Sequence, residues 1–325
     1  VTADFRAITL MTHDKRQLRA GVWDLPSGTK PRGICVLLNG LTEFLEKYGE
    51  VAGELRNRGF IVASLDWRSQ GASERWRASN RASHVGNFEE YDTDLAALLL
   101  QAVEPIQRQQ AEPLPLIALA HSMGAHVLLR FLHDNPRRFG CGVLIAPMLD
   151  VQTGPYSANM TNLMTFAMNL RGASPRFVPG VEERDPLDLA FADNQVTSDE
   201  SRFERTRGLL KAQPYLRVHG PTFGWLGAAL ASMKRLQRNG YAEDIATPLL
   251  LIGAGRDTVV HTQAVRAYAK RLPRARYVEI EDAKHEILME ADSIRARFWS
   301  EFDAFIEQNL SAGASPFGGA HTPLF

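Results

Sequence analysis

The chain has 325 residues, of which 45% are hydrophobic and 23% charged. That composition supports a large buried core and excludes global disorder. At about 150 residues per domain, the length fits two domains or one domain with an insertion. Lys and Arg number 37 against 37 Asp and Glu, so the basic excess expected of a nucleic-acid binder is missing. No apolar run reaches the roughly 18 residues of a membrane helix. Val1 to Leu10 carries Asp4 and Arg6 and does not read as a signal peptide, although the chain starts without Met and leaves a cleaved leader open. Cys35 and Cys141 sit in apolar runs and read as two reduced, buried thiols of a cytoplasmic protein.

Short apolar runs alternate with longer helical patterns. Strands are predicted at Arg6 to Met11 and Leu18 to Leu25, joined as a hairpin. Further strands are predicted at Ile34 to Leu38, Ile61 to Leu65, Leu116 to Ala120, Gly142 to Ala146, Leu249 to Gly253 and Tyr277 to Ile280. These are nearly all apolar, as suits strands covered on both faces. Helices are predicted at Glu46 to Arg58, Phe88 to Gln110, Met123 to His133, Thr262 to Arg271 and Ser293 to Leu310. The alternation predicts an α/β fold, an eight-stranded and mostly parallel sheet with helices on both faces. Val151 to about Gly240 holds no convincing strand and reads as a helical insertion of roughly 90 residues. The expected organisation is a core of residues 1–150 and 241–310, a helical cap at 151–240, and a flexible tail at 311–325 rich in Gly, Ala, Ser and Pro.

Ala120-His121-Ser122-Met123-Gly124 follows a strand and opens a helix. In that setting a sharp turn presents a serine hydroxyl as a nucleophile, and small residues at 120 and 124 let the turn close; the plain alternative is a helix-capping serine. His285, after the last strand, can serve as the base that takes the serine proton and returns it to the leaving group. Asp257, after the strand ending at Gly253, can orient that histidine, with Asp150 as a competitor. The oxyanion formed on attack needs two donors. The N–H of Met123, following the nucleophile, and of Leu41, in the Gly40 loop, are the candidates. No cofactor is needed. The histidines lack metal-ligand spacing, so no metal is expected. Asp66-Trp67-Arg68 reads as loop scaffolding.

At this point the chain resembles the lysophospholipase and monoacylglycerol lipase group of α/β-hydrolases. The resemblance runs from about Ile34 to Glu290 and rests on several motifs in one order. These are Asn39 to Tyr48, Asp66 to Arg75, Ala120 to Gly124, Thr197-Ser198-Asp199, Gly220 to Leu226, Asp257, and His285-Glu286-Ile287-Leu288. It implies an α/β-hydrolase fold, a cap roofing an acyl-chain tunnel, and a serine esterase acting on single-chain acyl lipids. A lysophospholipid is the first substrate, and a monoacylglycerol or another carboxylic ester the second. Three departures stand out: Asn39-Gly40 for the usual His-Gly, Ala120 and Ala125 for glycines at the elbow, and Ser69 for the Gly of Arg-Gly-Gln-Gly. None removes a catalytic atom; they bear on the shape of the site, where Asn39 is expected at the substrate.

Within the insertion, Leu163, Phe166 and Leu170 share a helical face and are expected to line the acyl-chain site or to touch a membrane surface. Ordinary packing of cap on body is the competing reading. The insertion carries 11 basic and 8 acidic residues, a balance compatible with anionic lipid. From another class, a non-catalytic ligand-binding module on the same fold stays open.

Overall fold

The computed structural model describes residues 5–77, 81–152, 158–179 and 185–312. An eight-stranded sheet runs in the order β1-β2-β4-β3-β6-β7-β9-β10. Its strands are β1 (Arg6–Met11), β2 (Gln17–Trp23), β3 (Gly33–Leu38), β4 (Phe60–Leu65), β6 (Leu116–His121), β7 (Cys141–Ile145), β9 (Leu249–Ala254) and β10 (Ala275–Ile280). The β1–β2 and β2–β4 pairs are antiparallel; every other pair in this sheet is parallel. All eight expected strands are present. β3, β4, β6, β7 and β9 are buried along their whole lengths, which is why their sequences are continuous apolar runs and do not alternate. Cys35 and Cys141 are free and buried there.

Chain order reverses at β3, with β4 on one side and β6 on the other. Loops leaving the carboxyl ends of β3 and β6 therefore diverge, and a crevice opens between them. Register places Leu38 opposite Ala120, so the loops after both strands emerge at one level. Helix α4 (Ser122–Asp134) starts immediately after β6. Gly124 sits where a Cβ would lie 2.5 Å from the Asn39 carbonyl oxygen and 2.6 Å from that of Leu38. Those are backbone atoms of a buried strand end and cannot swing aside.

The helices α1 (Gly49–Asn57), α8 (Thr262–Ala269) and α9 (Asp292–Ala312) fall where periodicity predicts them. The predicted helix Phe88 to Gln110 is broken into α2 (Glu89–Leu98), a π-helical turn (Leu99–Val103) and α3 (Glu104–Arg108). Pro105 explains the break, because it offers no N–H and its ring clashes with the carbonyl four residues back.

Between β7 and β9 lie α5 (Ala158–Leu170), α6 (Glu200–Ala212) and α7 (Phe223–Leu236). A two-residue strand, β8 (Gly220–Pro221), pairs with β5 (Ala82–Ser83); both are too short for a periodic signal. α5 packs on α7 at Gly227, where a Cβ would meet Asn169 Nδ2 at 2.7 Å. Trp225, Ala228, Ala229, Met233 and Leu236 of α7 join the main core. α6 is held to the body by charge: Arg202 donates to Glu50 (2.6 and 3.0 Å) and Asp292 (2.6 Å), and Arg205 also donates to Glu50, which accepts from Arg295 of α9 as well. Of the expected tail, Ser311 and Ala312 end α9, and the rest lies outside the described residues.

Two outcomes follow from this packing. Gly124→Ala should lower stability in urea unfolding by about 1–3 kcal/mol through overpacking. Glu50 is pushed up by burial, but the bonds from Arg202 and Arg205 win and bring it down to about 2. A depressed carboxylate stabilises the fold above its unfolded value and stops doing so as pH falls. Glu50→Gln should therefore cost about 1 kcal/mol at pH 7, with the difference from wild type shrinking between pH 4.5 and about 2.

Candidate active site

Ser122 is the first residue of α4 and has a left-handed backbone, φ 51°. A non-glycine residue accepts that strain only where its surroundings enforce it; here β6 ends and α4 begins with no linker. His285 Nε2 lies 3.0 Å from Ser122 Oγ, and His285 Nδ1 lies 2.7 Å from Asp257 Oδ2. The structure thus brings together three residues that follow three different strands, β6, β9 and β10, at the carboxyl edge of the sheet. The second oxygen of Asp257 accepts the N–H groups of Val259 (2.8 Å) and Val260 (2.9 Å). Burial pushes the Asp257 carboxyl up, but the His285 bond and charge and these two amides outweigh it, so it lies below the usual carboxylate range. An ionised Asp257 fixes the proton on Nδ1 and leaves Nε2 as an acceptor for the serine proton. Asp150, the competitor, is exposed and lines a different cleft.

The loop after β3 passes directly over the serine. A Cβ at Gly40 would stand 3.3 Å from Ser122 Cβ and 2.8 Å from Glu43 Oε2. The Gly40 N–H donates to Glu43, and the Thr42 N–H donates to Gln70 Oε1. Leu41 is therefore held between two anchored amides. Met123, the second residue of α4, carries one of the first-turn N–H groups that an α-helix leaves without an internal acceptor.

Several side chains with no catalytic signature in the sequence support the site. Buried Glu43 accepts from Lys47 Nζ (2.8 Å) and Tyr48 Oη (2.7 Å) and lies 3.0 Å from His121 Nδ1; Lys47 also donates to Glu286 (2.6 Å). The local signal for them is Glu43, Lys47 and Tyr48 at offsets of four and five, interleaved with Leu41, Phe44 and Leu45. The Thr197-Ser198-Asp199 stretch braces the histidine loop. Thr197 Oγ1 donates to the Met289 carbonyl (2.6 Å), the Ser198 N–H to Glu290 (2.8 Å), and the Glu286 N–H to the Val196 carbonyl (2.8 Å).

The residues expected at the substrate fare differently. Asn39 is fully buried; its Nδ2 donates to the Leu65 carbonyl (3.0 Å), and its main-chain carbonyl accepts from Trp67 Nε1 (2.9 Å). Its side chain ties β3 to β4. Leu163, Phe166 and Leu170 are 63, 63 and 73% exposed, whereas Thr165 is 2% exposed. The reason is the close α5–α7 contact, which takes the small and amide-bearing face of α5 (Thr165, Asn169) and leaves the bulky apolar face outward. Phe166 lines a cleft of about 1120 Å³ with Thr165, Asn169, Leu149 and Phe88, and Ser122 is not among its lining residues. Among the described residues, no group of His, Cys, Asp or Glu is arranged to hold a metal. No described helix is long and apolar enough to cross a membrane.

Comparison with known proteins places this chain in a family. A family profile described as serine aminopeptidase, S33, matches residues 29–292. Lysophospholipase L2 of Escherichia coli K12 is 31% identical over 272 residues, covering 81% of this chain and 77% of that protein. A probable lysophospholipase L2 of Haemophilus influenzae is 26% identical, covering 85% of this chain and 84% of the relative. In fold, the chain is similar to a solved monoglyceride lipase of Saccharomyces cerevisiae, with a TM-score of 0.72 at 16% identity over 95% of this chain and 98% of that one. The chain belongs to the serine aminopeptidase S33 family of α/β-hydrolases, and it is a serine hydrolase.

Proposed function

We propose that the chain is a lipid ester hydrolase of the lysophospholipase type, releasing a fatty acid through an acyl-enzyme on Ser122. The observation that carries this reading is the continuous hydrogen-bonded line Asp257–His285–Ser122, in a chain whose relatives include lysophospholipase L2. Ser122 Oγ attacks the ester carbonyl while His285 Nε2 takes its proton. The oxyanion is received by the N–H groups of Met123 and Leu41. The carbon–oxygen bond to the glycerol side breaks, and His285 returns its proton to the departing alkoxide. Water, deprotonated by the same nitrogen, then attacks the acyl-enzyme, and the fatty acid leaves as Ser122 is reprotonated. Ionised Asp257 steadies the imidazolium in both halves.

In this reading residues 151–240 form the lid over the crevice. The outward Leu163, Phe166 and Leu170 would touch the lipid aggregate that supplies the substrate, since an uncharged helix with a bulky apolar face suits an interface. A monoacylglycerol lipase or a general carboxylesterase is the neighbouring alternative, and a ligand-binding module the alternative of another class.

A fluorophosphonate probe should label Ser122 in the folded protein, and absence of labelling would overturn the hydrolase mechanism. Asp257→Asn should fold normally and lose roughly 10⁴-fold in kcat, because the imidazole then takes the wrong tautomer. Released fatty acid should be greatest from lysophosphatidylcholine when compared with a monoacylglycerol, an acetyl ester and an aminoacyl nitroanilide. Preference for the last two would exclude a long-chain lipid substrate. Leu163→Ser combined with Phe166→Ser should reduce co-sedimentation with phospholipid vesicles about tenfold, while hydrolysis of a soluble short-chain ester is retained. Unchanged sedimentation would remove the membrane contact.

A further inference from the structure

His121 precedes the nucleophile in the chain, yet it points away from the reaction line. Its Nδ1 lies 3.0 Å from Glu43 Oε2, and its Nε2 lies 3.2 Å from the main-chain carbonyl oxygen of His285. Both neighbours are acceptors. The carbonyl has no proton to give. Glu43 already receives the Gly40 N–H, Lys47 Nζ and Tyr48 Oη, so it is an ionised carboxylate with no proton of its own. A neutral imidazole has one N–H and can serve one acceptor; two acceptors require both nitrogens to carry protons.

Charge counting gives the same answer. Glu43 and Glu286 face Lys47 in a cluster in which Glu43 and Lys47 are buried and Glu286 is partly exposed. With neutral His121 the cluster carries one uncompensated negative charge, and with a cationic His121 it sums to zero. Lys47 opposes the cation; Glu43 and Glu286 favour it. Burial opposes it too, but the Glu43 charge and bond prevail and hold His121 above its ordinary value, while Glu43 lies well below its own.

We propose that His121 is a positioning residue of the hydrolase: a doubly protonated imidazolium that ties the Gly40–Leu41 loop, through Glu43, to the loop carrying the base, through the His285 carbonyl. The proposal rests on the reading of Ser122 as nucleophile and His285 as base. Glu43 anchors the Gly40 N–H beside Leu41, the inferred oxyanion donor. The His285 carbonyl belongs to the residue whose ring must reach Ser122. A single charged ring, joined by one peptide bond to Ser122, therefore sets the distance from the nucleophile to the oxyanion loop on one side and to the base on the other. Loss of its proton frees one of the two loops.

The test uses the full chain labelled with ¹⁵N at histidine. Long-range proton–nitrogen spectra, with His121 assigned by its loss in His121→Gln, should show both ring nitrogens protonated at pH 7. A neutral His121 at that pH overturns the proposal. Glu43→Gln removes the favouring charge and should move the His121 titration to lower pH; an unmoved titration also overturns it. His121→Gln should lower kcat about 10- to 100-fold with KM changed less than about threefold, the pattern of a misplaced catalytic group. Its fluorophosphonate labelling should slow in parallel. Wild-type kcat in a folded His121→Gln protein would defeat the positioning role. Should that variant fail to fold, His121 is assigned instead by backbone correlation to Ser122, the wild-type and Glu43→Gln spectra decide its protonation, and an unreduced kcat in Glu43→Gln defeats the positioning role. Failure of wild-type Ser122 to label would instead defeat the hydrolase mechanism and leave the protonation result standing.

Discussion

The site depends on one close approach. The first turn of α4 presses against the carbonyl oxygens of Leu38 and Asn39, and only a residue without a Cβ at position 124 permits it. That contact holds the start of α4 under the end of β3, and it places Ser122 next to Gly40 at the point where strand order reverses. A parallel sheet leaves its carboxyl-end loops free to diverge there. The strain at Ser122, with φ 51°, is sustained because β6 and α4 are both buried and neither can rotate to release it.

Around this contact the protein uses buried charge to fix its loops. Asp66 accepts from the Leu45 N–H (2.9 Å), the Ala72 N–H (2.8 Å) and Arg19 (2.7 Å), which locks the loops after β3 and β4 together. Arg68 is held by Asp94, Asp14 and Glu90. Glu43 does the same work next to the serine. Such groups are costly to bury singly, so each is satisfied by several partners. The return is geometric: a carboxylate with three or four donors admits few loop conformations. A hydrolytic site needs that property, because its oxyanion donors must be in place before the charge develops.

The segment between β7 and β9 combines two kinds of attachment. α7 contributes apolar side chains to the main core, whereas α6 is held by arginine–carboxylate pairs. α5 is attached through α7 and turns a bulky apolar face outward. A helix whose small face is buried and whose large face is exposed inverts the usual amphipathic order, and that inversion supports the reading of α5 as a surface for lipid.

How much was legible in the chain itself depended on range. Eight strands, the elbow at Ser122, and the residues Asp257 and His285 could be read from apolar runs and from strand–turn–helix order, because those signals are local. Pro105 is the local mark of the break in the α2–α3 region, within a stretch whose apolar periodicity by itself reads as one helix. The two-residue pairing of β5 with β8, the shared charge of Glu43, Lys47, His121 and Glu286, and the outward turn of Leu163, Phe166 and Leu170 were settled only by tertiary packing. Each depends on which residues from distant parts of the chain meet, and local periodicity carries no record of that. An apolar helical face states that something will cover it or that lipid will; the small residues at Gly227 and Thr165 decided which face α7 would take.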